Sequence, residues 1–161
     1  MDLEKRMYFF VPYQLTGIQK GIQSGHSSLR FALKFGRYNP DHLIWDFIEN
    51  HQTWIVLNGG TTNNGRDFEG FSKGSLNRIA DQLLENDIEF SYFCEPDLQD
   101  ALTAVCFICD ERVFNKETYP DYEEFDIDDN YIEYDDWISY VGGKKNVFLR
   151  ELLKEKDLAN G

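Results

Sequence analysis

The chain has 161 residues, 42% of them apolar and 16% aromatic, which is enough for one substantial core and too little for a second. Its formal charge of −13, from 29 acidic against 16 basic residues, excludes general affinity for nucleic acid unless the cations are segregated, because neutralising phosphates draws on Lys and Arg. No run of about 18 apolar residues occurs, and the opening MDLEKRMYFFVPY is too short in apolar residues for a signal peptide, so a cytoplasmic protein without a membrane span is expected.

The segment MYFFVPY (7–13) is aromatic and β-branched and reads as a first strand ending near Val11. Ile18, Ile22, His26, Leu29 and Leu33 follow at spacings of three or four, which places them on one side of a helix, expected to be its core side. Gly21 and Gly25 lie in that helix at a cost to its stability, and close approach to another backbone would compensate. A second helix is predicted over 40–50, with Pro40 in its first turn and Leu43, Ile44, Phe47 and Ile48 to bury. TWIVLNGG (53–60) has a nearly continuous apolar run that suits a central strand covered on both faces.

A polar loop (61–74) leads into a helix carrying Leu76, Ile79, Ala80, Leu83 and Leu84, and then into strands over 89–98 and 102–111. This order predicts an α/β domain over 1–111, a compact mixed four-stranded sheet flanked by helices. From 112 to 161 the character changes. Nine acidic residues and no Lys or Arg fall between Asp121 and Asp136, interleaved with Tyr122, Phe125, Tyr131 and Tyr134 and followed by Trp137 and Tyr140. Disordered segments rarely hold so many rings, so an ordered acidic extension is expected, packed on the same domain and ending in an amphipathic helix over 144–158 with Val147, Phe148, Leu152 and Leu153 as its apolar side.

Cys106 and Cys109 have C-x-x-C spacing, but on a strand two residues three apart point to opposite faces, which predicts buried thiols and neither a redox pair nor a zinc site. His26 is either a satisfied structural residue or a base whose pKa near 6.5 permits proton transfer at neutral pH. Asn58, Gly59 and Gly60, at a strand end, and Arg66, in the following loop, are candidate ligand contacts, with a plain turn as the alternative. The loop lacks the phosphate-loop pattern. Glu95, Asp97 and Asp100 cluster past another strand end, where carboxylates are either catalytic or simply solvated. The acidic run fails as a calcium loop: counted from Asp126, position six is Tyr131 where glycine is needed and position twelve is Trp137 where glutamate is needed. No metal or cofactor is expected.

The first 111 residues resemble the type II peptidyl-tRNA hydrolases, small mixed-sheet α/β proteins whose first helix carries a lysine followed by A-A-Q-x-x-H-A. GIQKGIQSGHSSL supplies Gln23 and His26 at the same separation, with Ser27 and Ser28 where small residues are usual. TWIVLNGG resembles the family's second strand, LNRIADQLLENDIEF its following helix, and SYFCEPDL with LTAVCFICD its last strand pair. The resemblance implies cleavage of the ester joining peptide to tRNA, with Lys20, His26, Asn58 and Glu95 as the site, and makes a homodimer reasonable. The chain departs from the pattern at the helix lysine, which is Gln19 with Lys20 adjacent, at the second-strand lysine, which is Asn58, and at the strand-end acid, which is Glu95 where aspartate is usual. A small domain of this fold with an acidic aromatic tail also resembles phage-encoded proteins.

Three functions are therefore expected. The leading one is a noncatalytic interaction protein, host-directed if phage-encoded, that binds a basic partner protein through Asp126, Asp128, Tyr131, Tyr134 and Trp137, with the rings as anchors and the carboxylates setting orientation and association rate. The second is a peptidyl-tRNA or related ester hydrolase, which requires Lys20, Arg30, Lys34, Arg37 and Arg66 to converge around one cleft. The third is a protein that sequesters a small ligand at Asn58, Gly59, Gly60 and Glu95.

Overall fold

The structure, a computed structural model, describes residues 2–64, 72–126 and 131–161. Four strands, β1 (Lys5–Pro12), β2 (Thr53–Gly60), β3 (Phe90–Glu95) and β4 (Ala101–Asp110), form one mixed sheet in the order β2-β1-β4-β3. β1 runs parallel to β2 and antiparallel to β4, and β3 runs antiparallel to β4. The two central strands carry the densest apolar sequence: Phe9, Phe10, Val11, Val105 and Phe107 are fully buried.

Period-two alternation divides these side chains between two layers. Tyr8, Phe10, Val105 and Phe107 point toward α3 (Ser75–Glu85), with its Leu76, Ile79, Ala80 and Leu83, and toward the last helix (Lys144–Leu153), which adds Leu149 and Leu152. Met7, Phe9 and Cys106 point to the other face, against Phe31, Ile44 and Phe47. Cys106 and Cys109 accordingly lie on opposite faces, and burial pushes the Cys106 thiol up to about 11 and the Cys109 thiol well above its ordinary range.

The strand expected at the centre of the sheet, 53–60, is an outer one. Its free edge is not bare: Asn58 donates its backbone N–H to Asp157, Ala159 donates to Val56, and Leu57 pairs antiparallel with Leu158. That short addition also explains why the last helix stops at Leu153, short of the expected 158. The second helix, α2 (Leu43–Asp46), begins three residues after Pro40, because the His42 ring caps it, Nδ1 accepting from the Ile44 N–H at 3.1 Å. A π-helical turn, Phe47–His51, continues it.

The largest departure concerns α1 (Gly17–Phe31), continued by a π-helical turn over Ala32–Gly36. A capping box starts the helix: Thr16 Oγ1 accepts from the Gln19 N–H, and Gln19 Oε1 accepts from the Thr16 N–H. The helix lies against β3 and β4, and its buried residues are Lys20, Gln23, Ser24, Ser27 and Phe31. The apolar stripe expected in the core faces outward, with Ile18 79%, Ile22 52%, Leu29 71% and Leu33 59% exposed, and His26 is exposed too. Small hydroxyl side chains make the inversion affordable. Ser24 and Ser27 return their hydroxyls to the helix's own carbonyls at Lys20 and Ser24, and Ser91 on β3 donates to the Ser27 carbonyl at 2.5 Å, so the buried polar atoms are paired.

Two outcomes check this packing. Ser27→Leu overfills the α1–sheet contact and is expected to destabilise the fold by about 1–3 kcal/mol in urea unfolding, whereas Leu29→Ser, measured at low protein concentration, is expected to stay within about 0.5 kcal/mol of the parent. The second concerns the first strand's tether to α2. Lys5 Nζ donates to Asp46 Oδ2 at 2.6 Å and Asn50 donates to Asp46 Oδ1 at 2.7 Å, and these bonds hold the Asp46 carboxyl down at about 2. A carboxyl lowered in the folded state contributes stability above its unfolded value of 3.8 and loses it as the pH falls toward 2. Asp46→Asn should therefore flatten that part of the acid limb of the stability–pH profile.

Candidate functional site

The β1–α1 connection, the β3–β4 turn and the start of the loop after β2 meet at one end of the sheet. Between them lies a cavity of about 430 Å3 lined by Pro12, Gln14, Leu15, Gln19, Thr62, Asp97, Leu98, Gln99, Ala101 and Thr103. Binding sites in open α/β sheets favour such a position past the strand ends. Its walls are amides, hydroxyls and apolar carbons with one carboxylate, Asp97.

Gln23 organises the polar groups beside the cavity. Its Nε2 donates to Glu95 Oε2 at 2.8 Å, and its Oε1 accepts from Thr103 Oγ1 at 2.5 Å. Thr103 is skipped in the ladder because β4 bulges there: Phe93 pairs with Ala104 but Cys94 pairs with Leu102, and the Thr103 hydroxyl also reaches the Phe93 carbonyl at 3.2 Å. Glu95 also accepts from the Asp97 N–H at 3.3 Å, and the bonds from Gln23 and Asp97, aided by nearby His26, hold its carboxyl below the usual carboxylate range. The His26 ring stacks on Phe93 at 4.4 Å. A Glu95 kept ionised and tied to an amide is a poor general base.

Lys20 belongs to a different neighbourhood. It is 7% exposed, and its Nζ donates to the Asn160 carbonyl at 2.7 Å, under the same C-terminal segment that pairs with β2. Asn58 is exposed, with Oδ1 accepting from the Gly60 N–H at 2.9 Å, an ordinary side-chain-closed turn. Gly59 is buried, and a Cβ there would meet Leu76 Cδ1 at 2.8 Å and the Val11 carbonyl at 3.1 Å, so its glycine serves packing. Gly60 has φ +79°, which requires glycine for the turn. Asn58 on β2 and Glu95 on β3 sit at opposite edges of the four strands, about 14 Å apart at the usual strand spacing. The four residues Lys20, His26, Asn58 and Glu95 thus do not surround one reacting atom.

Among the described residues the cations do not converge on that end either. Arg30 lies over the Phe93 ring at 5.1 Å, Lys34 donates to the Phe90 carbonyl at 3.2 Å, and Arg37 lies over Tyr38 at 5.0 Å, so Arg30 and Lys34 run along the β3 side while Lys20 is under the C-terminal segment. Arg66 lies outside the described residues.

The extension is built around Arg150, a residue the apolar pattern of its helix did not single out. Its side chain, almost fully buried, donates to the Arg112 carbonyl (2.6 Å), the Tyr119 carbonyl (2.9 Å) and Asp121 Oδ1 (2.7 Å), and lies 5.6 Å over the Trp137 ring. Burial alone would raise the Asp121 carboxyl, but hydrogen bonds from Lys116 and Arg150 hold it below its ordinary value. Trp137 is only 5% exposed, donates from Nε1 to the Pro120 carbonyl at 3.1 Å, and packs against Tyr122 and Tyr134. It therefore fastens the extension together and presents no free ring to a partner. Tyr134 is partly exposed and Tyr131, at 68%, is open. Tyr122, Glu123, Phe125, Tyr131 and Ile132 line a shallow cavity of about 190 Å3. The backbone of Asp126 closes a short 3-10 turn, Tyr122–Asp126, and Asp128 lies outside the described residues.

Among the described residues, one set of side chains has cation-ligand geometry, Asp2, Asp46 and His51, with ligating atoms within 4.8 Å of one another. The Lys5 ammonium already lies among them, 2.6 Å from Asp46 and 3.4 Å from Asp2. No helix of the described residues is long and apolar enough to cross a membrane. No family model and no curated protein matches the chain.

The occlusion of Lys20 has a direct readout. Removing residues 157–161 should convert Lys20 from a slowly to a rapidly acylated amine in competitive lysine labelling read by mass spectrometry. Equal labelling in the intact and shortened chains would show that the segment does not cover it.

Proposed function

We propose that the protein is a noncatalytic interaction protein that receives a cationic side chain of a basic partner protein in the cavity of its acidic extension. The observation that carries this reading is the lining of that cavity: three rings, Tyr122, Phe125 and Tyr131, with the Glu123 carboxylate. Aromatic faces attract a Lys or Arg head group, a carboxylate completes the recognition, and partial desolvation strengthens both. Trp137, held by Arg150 and the Pro120 carbonyl, packs against Tyr122, and Tyr140 packs against Phe125, so two of the three rings are fixed before a partner arrives, which lowers the ordering cost of binding. The exposed Glu124, Glu133, Asp135 and Asp136 set the field that draws a basic surface in. Tyr131 and Tyr134 are the exposed contact rings, and Trp137 supports Tyr134.

Two features weigh against ester hydrolysis: Lys20 is engaged by Asn160, and Glu95 is engaged by Gln23. The 430 Å3 cavity favours a second reading, retention of a small uncharged or cationic ligand by its amides, hydroxyls and Asp97.

The test is titration of the full chain with a fluorescent Arg- and Lys-rich peptide. Binding should weaken steeply as salt rises, and Tyr131→Ala should cost about 1–2 kcal/mol, roughly five- to thirty-fold in affinity. Affinity unchanged in Tyr131→Ala would exclude the cavity. Turnover of a blocked aminoacyl-tRNA, lost in both Lys20→Ala and His26→Ala, would replace this reading with the hydrolase.

A further inference from the structure

The outward side of α1 is unlike the rest of this acidic chain. Ile18, Ile22, Leu29 and Leu33 form a stripe of exposed branched side chains, and Gly25 lies on the same stripe, with Gly21 at its border. A Cβ placed on either glycine would meet nothing within 4 Å, so no contact within the protomer calls for glycine at these two interior helix positions. Glycine there costs helix stability, and removing the side chain is useful where a second backbone comes close. Segments 17–37 contain four basic residues, Lys20, Arg30, Lys34 and Arg37, and no acidic one, although the chain as a whole carries −13.

We infer that this stripe is the interface of a homodimer, in which α1 packs antiparallel against α1 of a second copy across a two-fold axis near Gly25. The stripe is self-complementary about that point. Antiparallel pairing sets Ile22 opposite the second copy's Leu29 and Ile18 opposite its Leu33, and brings the two Gly25 positions together at the centre, where their missing side chains let the backbones approach. This is an isologous contact, the commonest kind in soluble oligomers.

Charge selects the antiparallel arrangement and the occupant. Glu95 is bonded to Gln23, and Asp97 lines the same cavity as Gln19, so the acidic β3–β4 turn flanks the N-terminal half of α1. Arg30 and Lys34 flank the C-terminal half on the same, β3, side. A two-fold that reverses the helix keeps this flank on one side and sets Arg30 and Lys34 of each copy against the acidic turn of the other. A parallel pair, related by a two-fold along the helix, would carry the two flanks to opposite sides of the seam, where the cations of one copy do not meet the acidic turn of the other. The apolar seam itself carries no acid, so the repulsion expected between two copies of a −13 chain is smallest here. A face about 30 Å long and 10 Å wide falls short by itself of the roughly 800 Å2 per partner of a standard interface. The charged flanks supply the remainder, which makes the dimer reversible and salt-sensitive.

Sedimentation equilibrium of the full chain over a concentration series tests this. The parent should show a reversible monomer–dimer equilibrium, and Ile22→Asp combined with Leu29→Asp should be monomeric with unchanged circular dichroism and melting, since both positions are exposed in the protomer. Gly25→Leu should weaken association by roughly tenfold or more without lowering protomer stability, because the space beside it is open. Arg30→Glu should weaken the dimer and the added change Asp97→Arg should restore it. A parent that is monomeric at every concentration, or a dimer that survives the paired Asp substitutions, overturns the inference.

Discussion

The structure depends on how closely α1 can lie against β3 and β4. That distance is set by Ser24, Ser27 and Ser91, whose hydroxyls are short enough to fit beneath a helix and are satisfied by nearby carbonyls. With the small polar side down, the helix has no choice about the large apolar side, which turns to solvent. The same seating brings Gln23 over the β4 bulge, where Thr103 and Glu95 clamp it, and stacks His26 on Phe93. One packing decision thus places both the polar cluster at the sheet end and the exposed stripe.

The extension obeys a different constraint. Its carboxylates repel one another, so an ordered acidic segment needs a cation at its root. Arg150 is that cation: it bonds two carbonyls and Asp121 and underlies Trp137, tying the extension to the helix whose Leu149 and Leu152 complete the main core. A buried guanidinium with three acceptors is costly to leave unpaired, which is why the arrangement acts as a unit. Charge is consequently divided across the molecule, with carboxylates around the ring-lined cavity and cations along one flank of α1.

Much of the fold was legible in the residues. The four strands, the α3 stripe apart from the exposed Leu84, and the opposed faces of Cys106 and Cys109 followed from the spacing and composition of their apolar residues. The place of β2 at an edge was not legible, since its apolar run suits a covered strand and the cover comes from residues 157–159, a hundred positions away. Of the site, Gln23 and His26 were visible as a spaced pair. Thr103 was not, because a β-bulge leaves no mark on an alternating apolar run. Nor was Arg150, which reads as one charge in an amphipathic helix. Trp137 drew attention for its ring, but whether a ring is an anchor or a fastener depends on what packs against it.

The sequence by itself determined the main strands and helices, the segregation of charge between residues 17–37 and 121–136, and the mismatch of the acidic run with the EF-hand pattern. These are local properties, written in spacing and composition. Tertiary structure alone decided which side of α1 is inside. A periodic stripe shows that a helix has two unlike sides, but the sheet selects the side that fits, and here the gap above β3 and β4 admits serine and not isoleucine. It also decided that Lys20 lies beneath the C-terminal segment and that Asn58 and Glu95 lie at opposite edges of the sheet, because strand order, which no local pattern records, sets the distance between β2 and β3.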